Sequence, residues 1–119
     1  MEKPVILVVD DEAPIRDFIC YILETAGYVV LTAADGEQAL QVSRAFPTPI
    51  HLLLSDVDMP RLDGMSLREQ ILRERPAMKV LLLSGRVEEP PEGVEFLRKP
   101  CQAEVLRHHV RRLLPAGPV

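Results

Sequence analysis

Two rhythms of apolar residues alternate along this chain. Mostly apolar runs, Val5 to Val9, Tyr28 to Thr32, Ile50 to Ser55, Lys79 to Ser84 and Val94 to Leu97, are short and rich in valine, isoleucine and leucine. Runs of this length without polar alternation fit strands buried on both faces rather than half-exposed ones. Between them the apolar positions recur at helical spacing. Ile15, Phe18, Ile19, Ile22 and Leu23 predict a first helix with all five facing inward, Pro14 in its first turn and Gly27 at its stop. Asp35-Gly-Glu-Gln38 opens a second helix that carries Ala39, Leu40, Ser43 and Phe46 inward until Pro47 and Pro49. Ser66-Leu-Arg-Glu69 matches a capping box, and Leu67, Ile71 and Leu72 give the third helix a narrow stripe that lasts until Pro76. Leu106, Val110, Leu113 and Leu114 face inward from the last helix.

Strands alternating with helices in this way build right-handed βαβ units around a parallel sheet covered on both faces. The predicted class is α/β, doubly wound, with residues 1–119 forming a single domain that ends in a frayed tail, Pro115 to Val119. One connection departs from the pattern. Gly85 to Gly93 contains Pro90, Pro91 and Gly93 and lacks an apolar helical stripe, whereas a parallel crossover normally takes a dozen residues or more. A stretch this long still reaches up to ~30 Å when extended, so a loop can return the chain to the start of the next strand. The helix between strands 4 and 5 is therefore expected to be shortened or missing. Either Val87 and the prolines plug the flank it leaves, or another copy covers it in a homodimer.

Composition narrows the function classes. At 47% apolar and 27% charged over 119 residues, the chain has the balance of a globular domain. Its apolar runs are too short to span a membrane and its N-terminus lacks a signal-peptide apolar region, so a cytoplasmic location without membrane contact is expected. Cys20 and Cys101 have no metal-ligand or redox spacing and read as small hydrophobes. A formal net charge of −4 argues against a nucleic-acid surface, and Arg107, Arg111 and Arg112 read as a solvated helix face. His51, His108 and His109 lack metal-ligand company.

The candidate chemistry lies where apolar runs stop. In a doubly wound sheet, ligands bind outside the C-terminal ends of the strands. Asp10 and Asp11 leave the first strand and Asp56 the third, so three carboxylates from distant parts of the chain converge on one crevice. Their repulsion calls for a cation, and hard oxygen ligands in a small cleft suit Mg²⁺ or Mn²⁺. The bland alternative is that Asp10 and Asp11 cap the first helix and that Asp56 and Asp58 begin a turn. Ser84 at the end of the fourth strand and Lys99 after the fifth fall on the same sheet edge. A hydroxyl and an ammonium there would stabilise the oxygens of a phosphoryl group carried by Asp56 as nucleophile.

From VVDDE at Val8 to Glu12, through DVDMPRLDG at Asp56 to Gly64, to SG at Ser84 and KP at Lys99, the chain resembles the receiver domain of two-component response regulators, of the chemotaxis-regulator type. The resemblance covers nearly the whole chain. It implies a flavodoxin-like five-stranded sheet of order 2-1-3-4-5 that takes a phosphoryl group from a sensor histidine kinase or a histidine phosphotransfer protein and signals to a downstream protein. Asp56 matches the phosphoacceptor; Asp10 and Asp11 match the acidic pair holding Mg²⁺, with the main-chain carbonyl of Asp58 completing the metal shell. Ser84 matches the hydroxyl switch residue, Phe96 the aromatic that follows it, and Lys99 the phosphate-pairing lysine, aimed by a cis Lys99-Pro100 bond. On this reading the chain is not an enzyme acting on other substrates, and it catalyses only its own phosphorylation and dephosphorylation. Arg86 and Asp58 are expected to pair across the mouth of the site.

Three rivals compete. Asp56-Val-Asp58 resembles the nucleophile and acid pair of haloacid-dehalogenase-type phosphatases, but follows the third strand rather than the first and lacks the Gly-Thr continuation. A flavodoxin-like cofactor binder would need a phosphate loop where Asp10-Asp11-Glu12 stands. A degenerate receiver acting without phosphorylation is disfavoured by the complete acidic set with Ser84 and Lys99.

Overall fold

The computed structural model describes residues 3–85 and 92–114. Five strands, β1 (Val5–Val9), β2 (Val29–Ala33), β3 (Leu52–Asp56), β4 (Lys79–Ser84) and β5 (Glu95–Arg98), form one sheet in the order β2-β1-β3-β4-β5. All four pairings are parallel. The switch point between β1 and β3 is where the chain winds first one way and then the other. Helices α1 (Ala13–Thr25), α2 (Gly36–Ala45), α3 (Gly64–Glu74) and α4 (Ala103–Leu113) cover the sheet.

Because both faces are covered, β1 and β3 are buried at every position. Ile6, Val8, Leu52, Leu54, Leu81 and Leu83 point to the α1 and α4 side with Ile19, Leu23, Leu106 and Val110. Their alternates, Leu7, Val9, Leu53 and Leu82, meet Ala39, Leu40, Leu67 and Ile71 on the α2 and α3 side. β2 and β5 are the edges, and most of their positions stay partly or fully exposed.

Two expectations about the helices need correction. Phe18, placed inward by its spacing, is 54% exposed, because the stripe of α1 is wider than the sheet and α4 can cover. The capping box at Ser66 does not start α3. That helix begins at Gly64, and the Asp63 carboxylate caps it by accepting from the Ser66 N–H at 2.8 Å. Asp35 caps α2 as its motif implies, accepting from the Gln38 N–H, while the Gln38 side chain accepts from the Ala34 N–H. The C-terminal end of α2 is closed from outside. Arg75, just after α3, donates to the carbonyls of Ser43, Phe46 and Thr48 and to the Ser43 hydroxyl.

His51 is structural: its Nδ1 accepts from the Val5 N–H at 3.0 Å at the entrance of β1 and β3. Burial pushes the Cys20 thiol up to about 11, with Glu24 and Asp17 adding to it, which leaves an unreactive packing residue. Among the described residues between Ser84 and Glu95 none is helical. Arg86, Val87, Pro90 and Pro91, to which the mouth pairing and the plugging of the flank were assigned, lie outside the described residues, as does the tail from Pro115.

Candidate functional site

Each acidic residue is delivered by a strand end. Asp10 follows β1, its backbone N–H donating to the Ala33 carbonyl at 3.2 Å, and its side chain is 1% exposed. The Asp10 carboxylate does not cap α1 in the expected manner. Its Oδ1 accepts from the Glu12 N–H at 2.9 Å, and Glu12, the residue before the helix, makes no side-chain cap. Arg16 in the first turn of α1 donates to the Asp10 carbonyl at 2.7 Å. Asp56 is the last residue of β3, and its partner across the β3–β4 ladder is Leu83.

Oxygens of Asp10, Asp11 and Asp56 lie within 4.8 Å of one another, with Asp11 exposed and the other two buried. Lys99 closes the cluster. Its Nζ stands 3.0 Å from Asp10 Oδ2 and 3.3 Å from Asp56 Oδ1. The Lys99-Pro100 bond is cis, as the resemblance implied. The Lys99 N–H also donates to the Ser84 carbonyl at 3.0 Å, which ties the ends of β4 and β5 together under the cleft. Asp58 contributes its backbone N–H to Asp56 Oδ1 at 3.3 Å, while its side chain borders the cleft outside the carboxylate cluster. The opening, about 350 Å³, is lined by Asp11, Glu12, Asp56, Asp58, Gly85 and Lys99.

Burial pushes the Asp56 carboxyl above its usual range; Lys99 pulls it down, Asp10 pushes it up, and the Asp58 N–H again pulls it down. Burial alone would lower the Lys99 ammonium, but its bonds and charges toward Asp10 and Asp56 outweigh that and raise it. The ammonium therefore stays charged at neutral pH, and Asp56 sits beside it with little solvation of its own. A hard dication fits this donor set of carboxylate oxygens opening on a polar cleft.

The backbone around Asp56 is packed to contact. A Cβ on Gly64 would lie 2.5 Å from the Asp56 carbonyl oxygen and 2.8 Å from Val57 Cα. Glycine there lets the start of α3 close against β3, with the Gly64 N–H donating to the Val57 carbonyl at 2.9 Å. Ser84 is fully buried at the end of β4. Phe96 pairs with Leu82 and Arg98 with Ser84, so Ser84 and Phe96 occupy the same face of the sheet. Phe96 is half-buried against the α2 and α3 side of the core.

Of the residues singled out from sequence, Asp10, Asp11, Asp56 and Lys99 meet directly, Asp58 joins through its backbone, and Ser84 and Phe96 share one face of the sheet without lining the cleft. Arg16 was missed. The helical spacing marked it only as a residue between apolar positions.

A doubly wound sheet with an acid cluster and a lysine at its switch point defines the class of this chain. The family model for the response regulator receiver domain matches residues 6–111, and the chain belongs to that family, as the receiver domain of a two-component response regulator. It is 40% identical over 116 residues to the alkaline phosphatase synthesis transcriptional regulatory protein PhoP of Bacillus subtilis (strain 168), covering 92% of this chain and 48% of that protein. Against the sensor kinase CckA of Brucella abortus (strain 2308) the identity is 30% over 116 residues, covering 92% of this chain and 12% of the kinase. The chain thus spans about half the length, or less, of these relatives. A response regulator receiver domain protein from Clostridium thermocellum superposes with a TM-score of 0.84 at 32% identity, covering 92% of this chain and 93% of that one. The chemotaxis protein CheY4 of Vibrio cholerae gives 0.85 at 30%, with 95% and 100% covered.

Proposed function

We propose that Asp56 is the acceptor of a phosphoryl group from a phosphohistidine on a sensor histidine kinase or histidine phosphotransfer protein. The observation that carries this reading is the Lys99 ammonium bridging Asp10 and Asp56 inside an open cleft. A carboxylate oxygen of Asp56 attacks phosphorus, the P–N bond of the donor breaks, and the imidazole leaves with the electron pair. The product is an acyl phosphate on Asp56. Lys99 balances the negative charge that accumulates on the phosphoryl oxygens, and Ser84 accepts the switch role by donating its hydroxyl to one of them. Asp10, Asp11, Asp56 and the Asp58 carbonyl would hold Mg²⁺ or Mn²⁺, whose charge offsets the phosphoryl oxygens. The chain acts only on its own side chain, and the state of Asp56 reaches a downstream protein through the Ser84 and Phe96 face. Sedimentation velocity with and without beryllofluoride tests the homodimer option.

Labelling with acetyl phosphate or a cognate kinase tests the assignment. Acid-labile and base-labile phosphate should appear on the unmutated protein only with Mg²⁺ or Mn²⁺, and Asp56→Asn should abolish it. Equal labelling of that variant would falsify the reading.

A further inference from the structure

The loop from Val57 to Asp63, beside the cleft, contains a turn that its own residues do not favour. Arg61 has a φ of +69°, and across it the Leu62 N–H donates to the Pro60 carbonyl at 2.8 Å. A three-residue turn of this hand is rare for a residue with a side chain, and it persists only where the surroundings dictate it. The start of α2 supplies those surroundings. A Cβ on Gly36 would lie 2.7 Å from the Leu62 carbonyl oxygen, 2.8 Å from Leu62 Cβ and 2.9 Å from its Cδ2, so Leu62 is seated on Gly36 with no clearance. Next to it, Asp35 Oδ2 stands 3.5 Å from Arg61 Nη1.

Both ends of this loop are fixed. Asp63 caps α3, and Gly64 is packed against the Asp56 carbonyl. A shift of Leu62 is therefore taken up between Val57 and Arg61, the stretch that holds the Asp58 backbone against Asp56.

We propose that Gly36 is a positioning residue for the acidic cleft: its missing side chain and the Asp35–Arg61 pair hold the 57–63 loop in its strained turn and so fix the Asp58 backbone relative to Asp56. This rests on the metal-dependent reading above. It adds a dependence of cation affinity on a residue of α2, which contributes no group to the cleft.

Isothermal titration calorimetry with Mg²⁺ tests it on the unmutated protein and on Gly36→Ala, with melting used to verify that the variant is folded. The affinity of Gly36→Ala should fall roughly 10-fold, the lower end of the range for residues that orient metal ligands. Leu62→Ala, which leaves α2 untouched, should weaken Mg²⁺ in the same direction and serves if Gly36→Ala does not fold. A lower melting temperature with unchanged Mg²⁺ affinity in the variants overturns the positioning role alone. Absence of Mg²⁺ binding by the unmutated protein overturns the metal-dependent reading and this proposal together.

Discussion

Asp56 carries a cost that its neighbours only partly offset. Its carboxyl is pushed above the ordinary value of 3.8, first by burial and then by Asp10, against the pull of Lys99 and the Asp58 N–H. The folded protein therefore binds this proton more tightly than the unfolded chain does. Stability is lost as pH rises from the unfolded value through the raised folded value. Without metal, Asp56→Asn should melt higher than the unmutated protein at pH 7, and the difference should shrink as pH falls through that window. A pH series of urea titrations checks this, and a variant equally stable at pH 7 would show that Lys99 already neutralises Asp56 in full. The cost is consistent with the phosphoacceptor role proposed for Asp56. It was legible in the sequence because a strand end and a carboxylate coincide at Asp10 and again at Asp56. Lys99 was legible for the same reason. Arg16 and Arg75 were not, because both donate to backbone carbonyls, and a carbonyl has no identity in a sequence.

At the scale of elements, Arg75 adds to the C-cap of α2, where the Phe46 N–H already donates to the Val42 and Ser43 carbonyls. Pro47 and Pro49 end that helix without supplying donors, and the Arg75 guanidinium reaches with its planar fork one carbonyl of its last turn, Ser43, and those of Phe46 and Thr48 just beyond it. Arg75→Ala should destabilise the fold by about 1–3 kcal/mol, the cost of leaving such acceptors unpaired. Arg75→Lys should recover little, since a single ammonium cannot span the set. Chemical denaturation checks both, and full recovery by lysine would show that only charge matters. The same comparison explains why Phe18 was misplaced: periodicity tells which residues share a helix face, but not how much of that face the neighbouring elements cover. Uncovered, Phe18 borders an apolar groove of about 430 Å³ that Gly85, Lys99 and Pro100 also line. A protein donor that reached Lys99 from the α1 side would cross this groove, whereas a small donor would not. Phe18→Ala should slow phosphorylation by a cognate kinase several-fold and leave labelling by acetyl phosphate unchanged. Equal effects on both donors would count against a docking role. The start of α3 was misread for a different reason. Two capping residues, Asp63 and Ser66, compete three positions apart, and the Gly64 approach to Asp56 decides between them.

For the whole molecule, the cleft links local charge to global stability. The acidic cluster joins the ends of β1 and β3, two adjacent interior strands, and Lys99 binds the end of β5 to both. A cation that binds this arrangement and not the unfolded chain raises stability by RT ln(1 + [L]/Kd), about 2.7 kcal/mol at a hundredfold excess over Kd. For a domain of this size that corresponds to a melting shift on the order of 10 °C. Asp11 separates affinity from stability, because it belongs to the cluster but is exposed while Asp10 and Asp56 are buried. Its charge is screened by solvent in the metal-free protein, so Asp11→Asn should change the metal-free melting temperature little, within the roughly ±0.5 kcal/mol typical of surface substitutions. The same variant removes one carboxylate from the donor set and should cut the Mg²⁺-induced shift at a fixed concentration by at least half. Differential scanning calorimetry across a Mg²⁺ series reads both quantities on one sample. A full shift in Asp11→Asn would place the cation on other ligands, and no shift in the unmutated protein would remove the cation from the cleft altogether.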